Sequence, residues 1–128
     1  MPQSLVQLYT HVVFSTKQRK PYLKDNSLRE GLHAYLAGAC NNLKSPSLIV
    51  DGVADHVHVL CRLSNTLSIA ELAREIKRES STWIKLESSR LSMFQWQSGY
   101  GAFSISPSHV DDLKRYIAGQ AEHHKNET

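Results

Sequence analysis

His56 and His58 flank Val57 in the run Asp55-His-Val-His-Val-Leu60. In an extended strand the side chains alternate, so both imidazoles share one face while Val57, Val59 and Cys61 point the other way, into a core. With Cα atoms about 7 Å apart, the two rings can reach one metal ion. A pair of solvent-facing strand histidines has the same spacing, so the pattern alone leaves both readings open. Near the other end of the chain, Tyr116 and Gln120 lie four residues apart, on one helical face at the flank of an apolar stripe. Singly, Tyr116 reads as a boundary packing residue and Gln120 as a surface residue. Beside two histidines, the pair offers what phosphodiester cleavage needs. Tyr116 brings a hydroxyl that can attack phosphorus, and Gln120 an amide oxygen able to complete a metal site.

The elements that must position these groups follow from periodicity. Leu5 to Ser15 alternates, with Val6, Leu8, Thr10, Val12 and Phe14 on one face and Gln7, Tyr9, His11 and Val13 on the other, which predicts a half-buried strand. A basic loop with Lys17, Arg19, Lys20 and Lys24 around Pro21 leads to a helix over about Asn26 to Asn42, where Leu28, Leu32, Tyr35, Leu36 and Ala39 recur at helical spacing. Strands from Leu48 to Val53 and from His56 to Leu63, separated by Ala54 and Asp55, are close enough for an antiparallel hairpin. A long helix spans about Ser68 to Glu87, with Ser68 and Glu71 spaced as a capping box. Its Ile69, Leu72, Ala73, Ile76 and Trp83 fall on one side, while Arg74, Lys77, Arg78, Ser81 and Lys85 form a basic outer face. Tyr100 to Ile105 closes an aromatic-rich segment as a final strand. Ser106 as N-cap and Pro107 at the first helical position start a terminal helix, with Ser108 and Asp111 as a second cap candidate; its stripe is Val110, Leu113, Ile117 and Ala121. The order βαββαβ plus a C-terminal helix matches an α+β, ferredoxin-like architecture. It implies one antiparallel sheet with helices on one face, plus a C-terminal helix that carries the tyrosine.

The chain's 128 residues, 41% hydrophobic and 21% charged, fit a single domain over 1–128. Six Gly and four Pro exclude collagen-like and low-complexity classes. Fifteen Lys and Arg against twelve Asp and Glu give a net charge of +3, which permits a polyanionic partner without requiring one. Cys40 and Cys61 form no CxxC pair, so both read as small core residues in a reducing compartment. The N-terminus has no charged leader before its apolar stretch, and no apolar run approaches the ~20 residues of a membrane span. A soluble cytoplasmic protein is expected.

The combination of DHVHVL, a basic amphipathic helix, WQSGYGAFSIS and a terminal VDDLKRYIAGQAEHH, in this order, resembles the single-tyrosine HUH transposases of the smallest bacterial insertion sequences, the IS-two-hundred-like family. The resemblance runs from LYTHVVFSTKQRKP to His124. It implies that His56 and His58 bind a divalent cation, that Gln120 is the third metal ligand and that Tyr116 is the nucleophile. It also implies action on single-stranded DNA with hairpin ends, through a 5'-phosphotyrosine intermediate. The protein would be a homodimer in which the tyrosine helix of one subunit can complete the active site of the other. Magnesium is the expected ion, and two imidazoles suit manganese equally well.

Lys17, Arg19, Lys20, Arg74, Lys77, Arg78 and Lys85 are candidate phosphate contacts, and equally a solvated surface. Trp96, Tyr100 and Phe103 read as core or dimer packing before base stacking. His11 reads as a structural histidine on a face that can lie near the metal site. Asp55 either orients His56 or makes the turn; His123 and His124 carry no signal. Two other functions compete: a non-catalytic nucleic-acid-binding module, and a metal-dependent hydrolase in which Tyr116 only packs.

Overall fold

The computed structural model describes residues 7–119. The chain runs β1 (Leu8–Ser15), α1 (Asn26–Asn42), β2 (Ser47–Val53), β3 (His56–Leu63), α2 (Ile69–Glu87), β4 (Gly101–Ile105) and α3 (Val110–Ala118). The strands form one antiparallel sheet in the order β2-β3-β1-β4, the ferredoxin-like arrangement expected from the element order. Among the described residues no helix is long and apolar enough to cross a membrane.

Local chemistry sets the helix starts. Asp25 accepts from the Leu28 amide at 2.8 Å to open α1. The Ser68–Glu71 capping box forms as the spacing predicts, each side chain accepting from the other residue's amide. The last helix differs from expectation. Ser106 and Pro107 open a 3-10 turn over Pro107–His109, and α3 proper begins at Val110. The Ser106 hydroxyl lies 2.7 Å from Nδ1 of His109 and makes no capping bond to the backbone. The other cap candidate, Ser108 with Asp111, does not form, because the residue before α3 is His109 and supplies no side-chain cap.

Alternation along β1 and β3 gives the sheet two working faces. Val12, Phe14, Val57, Val59 and Cys61 pack with Leu32, Leu36 and Cys40 of α1 and Leu72, Ile76 and Ile84 of α2 in the main core. Cys40 and Cys61 are both buried and free. On the opposite face Leu60 joins Val110 and Ile117, bordered by Tyr9, Ile49, Ile105 and Leu113, in a second, smaller cluster. The helix layer expected on one face therefore holds α1 and α2, while α3 covers the other, which is the face of His56 and His58.

The β2–β3 hairpin is tight. A Cβ at Gly52 would stand 2.3 Å from the His56 carbonyl oxygen and 2.8 Å from the Val57 Cα, so only glycine lets β2 pass this close to the strand bearing the histidines. The turn is clasped from outside by the chain that follows β1. Thr16 donates from its amide to Asp55 O at 2.9 Å, and Leu23 from its amide to Ala54 O at 2.9 Å. Leu23 itself is fully buried, which anchors the loop.

His33 of α1 makes stability depend on pH. Its Nδ1 lies 3.7 Å from an Asp51 carboxylate oxygen, while Nε2 is buried with no hydrogen-bond partner among the described residues. Burial pushes its pKa below the ordinary imidazole value; Asp51 and Glu30 pull upward, and Arg29 pushes down. Below about pH 6.5 the unfolded chain therefore takes up a proton that the folded chain resists, and stability is lost as pH falls. Urea midpoints should be lower at pH 5.5 than at 7.5, and His33→Leu should remove part of that difference. An unchanged pH difference in His33→Leu would show that this residue does not cause it.

Candidate functional site

β3 presents His56 and His58 from one face, as alternation requires, and neither faces solvent. They are 7% and 6% exposed, with ring centroids 5.1 Å apart and planes at 76°. Each ring has its Nδ1 engaged by a neighbour. Nδ1 of His56 donates to Asp55 Oδ1 at 2.8 Å, and Asp55 is held in turn by Arg19, whose Nε donates to Oδ2 at 3.2 Å. An Arg19 terminal nitrogen also lies 3.5 Å from that Nδ1. Partial burial pushes the Asp55 carboxyl upward, but the hydrogen bonds and charges of His56 and Arg19 outweigh it and hold the group below the usual carboxylate range. Asp55 thus does both things open to it in the sequence: it makes the turn and it orients His56.

Nδ1 of His58 lies 2.9 Å from Nε2 of His11 on β1, and the two rings stack with centroids 5.1 Å apart. Burial lowers the pKa of His11, which favours its neutral form. β1 places His11 opposite Leu60 on one side and Phe103 on the other, so the strand register delivers its ring to the histidine face. The sequence reads His11 as a structural histidine on a face that can lie near the metal site, and gives it no role there. The available signal was its parity, shared across β1 with Tyr9 and Val13 and opposed to Val12.

α3 brings the tyrosine. Val110 and Ile117 turn into the small cluster, which rotates Tyr116 toward β3, where its ring meets His58 edge to face at 6.4 Å between centroids and 89° between planes. Tyr116 remains 51% exposed, so the site opens to solvent on the side of the phenol. Gln120, together with Ala121, His123 and His124, lies outside the described residues.

The donor set suits a divalent cation. When a histidine is held at Nδ1 by a carboxylate or another acceptor, Nε2 is the nitrogen that it presents to a metal; Asp55 gives His56 that arrangement, and His58 has its Nδ1 against His11. Among the described residues no group of three or more His, Cys, Asp and Glu could hold an ion.

The expected basic surfaces divide. Arg19 joins the site through Asp55. Lys17 meets Lys77 and Arg78 around a hollow of about 400 Å³ that is also lined by Gln95, Trp96 and Gln97. This hollow borders α2, on the other side of the sheet from the histidines. Lys20, Arg74 and Lys85 are exposed. The outer face of α2 is less basic than its Lys and Arg suggest, because Arg78 pairs with Glu75 and Arg74 approaches Glu75 at 3.7 Å. Lys77 is half-buried: its ammonium donates to the carbonyls of Gln97 at 2.7 Å and Gly99 at 2.8 Å, and burial lowers its pKa. It fastens the segment before β4 to α2. Lys77→Met should therefore cost about 1–3 kcal/mol of stability from lost charge-assisted bonds. It should change the salt dependence of DNA binding little, which thermal melts and binding at two salt concentrations will check.

Of the aromatics, Trp96 packs edge-on against Phe14 and Phe94 and donates from Nε1 to Ser80 at 3.0 Å, a core role. Tyr100 and Phe103 are exposed, and the Phe103 ring lies 6.0 Å from His11.

This fold is shared with solved transposase structures. A candidate transposase from Deinococcus radiodurans R1 superposes with a TM-score of 0.71 at 18% identity, over 94% of this chain and 95% of that one. A REP-associated tyrosine transposase bound to a REP hairpin gives 0.60 at 13% identity, over 91% of this chain and 67% of that one. No curated protein matches the chain in sequence. The family model described as "Transposase IS200 like" matches residues 4–120, and the chain belongs to that family.

Proposed function

We propose that the protein cleaves and rejoins single-stranded DNA at the ends of an insertion sequence, with Tyr116 as nucleophile and His56, His58 and Gln120 as ligands of a divalent cation, Mg²⁺ or Mn²⁺. The observation that supports this reading is the meeting of two buried, Nδ1-held histidines with a half-exposed tyrosine from another element. When bound, the cation would polarise the scissile phosphate, and a site without a carboxylate among these ligands leaves its charge for that purpose. Tyr116 oxygen forms a bond to phosphorus as the bond to the 3' oxygen breaks. The phenol proton is lost, and the departing oxygen leaves as a 3' hydroxyl. The 5'-phosphotyrosine keeps the bond energy, so a later 3' hydroxyl can displace Tyr116 and rejoin the strand without ATP. Asp55 and Arg19 hold His56 in place through both steps.

The hairpin in the REP-associated relative's structure supports hairpin DNA as the ligand here too. β4 is an edge strand with Phe103 exposed, open to pairing with a second copy, which supports a homodimer with shared active sites. A protein with this activity on DNA would work in the bacterial cytoplasm.

The test is incubation with single-stranded DNA from the flanks of the gene, with and without Mg²⁺ or Mn²⁺, followed by a denaturing gel. A metal-dependent covalent protein–DNA adduct is expected. Binding without an adduct, across verified end sequences and both metals, overturns the reading in favour of a non-catalytic nucleic-acid-binding module.

A further inference from the structure

The buried contact between His11 Nε2 and His58 Nδ1, 2.9 Å long, can share one proton in two ways. If His11 donates, His58 accepts at Nδ1 and carries its own proton on Nε2, the nitrogen it would offer to a cation. If His58 donates from Nδ1, its Nε2 keeps a lone pair for the metal, and His11 carries its proton on Nδ1. We propose that His11 is a positioning residue that accepts the Nδ1 proton of His58 and so fixes His58 in the tautomer able to bind a divalent cation. The inference rests on the reading of His56 and His58 as cation ligands.

The surroundings hold His11 to this task. It is 8% exposed and sits on β1, which is paired on both sides. Its ring lies nearly parallel to that of His58, at 19°. The two candidate ligands thus receive the same service from different chemistry. His56 donates to a carboxylate at the hairpin turn, where Arg19 shares the charge. His58 lies two residues further along β3 from that turn and is 6% exposed, where an added carboxylate would be costly to desolvate. A neutral imidazole supplies an acceptor there without that cost and adds no negative charge beside the ion, whose attraction for a phosphodiester is then undiminished. Outer partners of this kind are typically worth 10–100-fold in metal affinity.

Two measurements test this on the full chain. Ring ¹⁵N spectra of the metal-free protein report the tautomer of His58 directly, and the Nδ1–H form is expected. Titration with Mn²⁺ should give binding about 10–100-fold weaker in His11→Phe than in the unaltered chain, with much of the loss recovered in His11→Gln, whose amide oxygen can accept. An Nε2–H tautomer in the unaltered chain overturns the inference, and so does affinity in a folded His11→Phe within twofold of the original. The spectrum of the unaltered chain decides the matter if His11→Phe does not fold. Failure of the unaltered chain to bind Mn²⁺, or binding indifferent to His56→Ala, overturns the cation site itself and this inference with it.

Discussion

Tyr116→Phe is expected to abolish the covalent protein–DNA adduct and to lower strand cleavage by at least about 10³-fold while leaving the fold intact. The substitution removes one oxygen from a ring whose packing edge against His58 is retained. With Tyr116 51% exposed, the change in stability should stay within about 0.5 kcal/mol. Binding to DNA should change little, since the charge is unaltered. Oligonucleotides labelled on either side of the scissile bond separate the outcomes on a denaturing gel. With the unaltered chain, the label on the 5'-phosphate fragment should travel with the protein. Free cleavage products surviving in Tyr116→Phe would mean that water is the nucleophile, as in the hydrolase reading, and that Tyr116 only packs.

The second large effect belongs to His58→Ala. Loss of a direct ligand should weaken Mn²⁺ binding by more than the 10–100-fold typical of an outer partner, and activity should fall to the level seen after chelation of the metal. The change also removes the hydrogen-bond partner of His11 in a buried place, a cost of about 1–3 kcal/mol unless water enters the gap. Calorimetric titration and a thermal melt together separate these two effects. Combined with Tyr116→Phe, the loss in activity should scarcely exceed that of either change alone, because nucleophile and ligand act in the same step. Additive losses would show that the two residues act independently, and an adduct that forms undiminished in His58→Ala would exclude this histidine from the chemistry.

Much of this was legible in sequence because it is carried by short-range periodicity. The alternation around Val57 predicts the shared face of His56 and His58, and the Ser68–Glu71 spacing predicts a cap that forms. What was not legible depends on contacts between distant segments. Lys77 lies at a helical position that reads as outward, but the backbone at 97–99, about twenty residues on, folds over it and takes its charge. His11 meets His58 across 47 residues, and only the register of β1 on β3 places them together. The separation of the helices onto two faces had one local sign: Leu60 shares the parity of the histidines, so their face needed an apolar cover of its own. A stripe such as Val110, Leu113 and Ile117 shows that α3 must bury a side, but not which side of the sheet receives it.

The unequal size of the two hydrophobic clusters bears on which part of the molecule lets go first. The strands bearing the histidines share the large core with α1 and α2, whereas α3 is fastened mainly through Val110, Leu113 and Ile117. Local opening costs less where fewer apolar contacts must be broken. Amide protons of α3 should therefore exchange with solvent ahead of those of β1 and β3, and the helix bearing the tyrosine can detach while the sheet that holds the histidines stays closed.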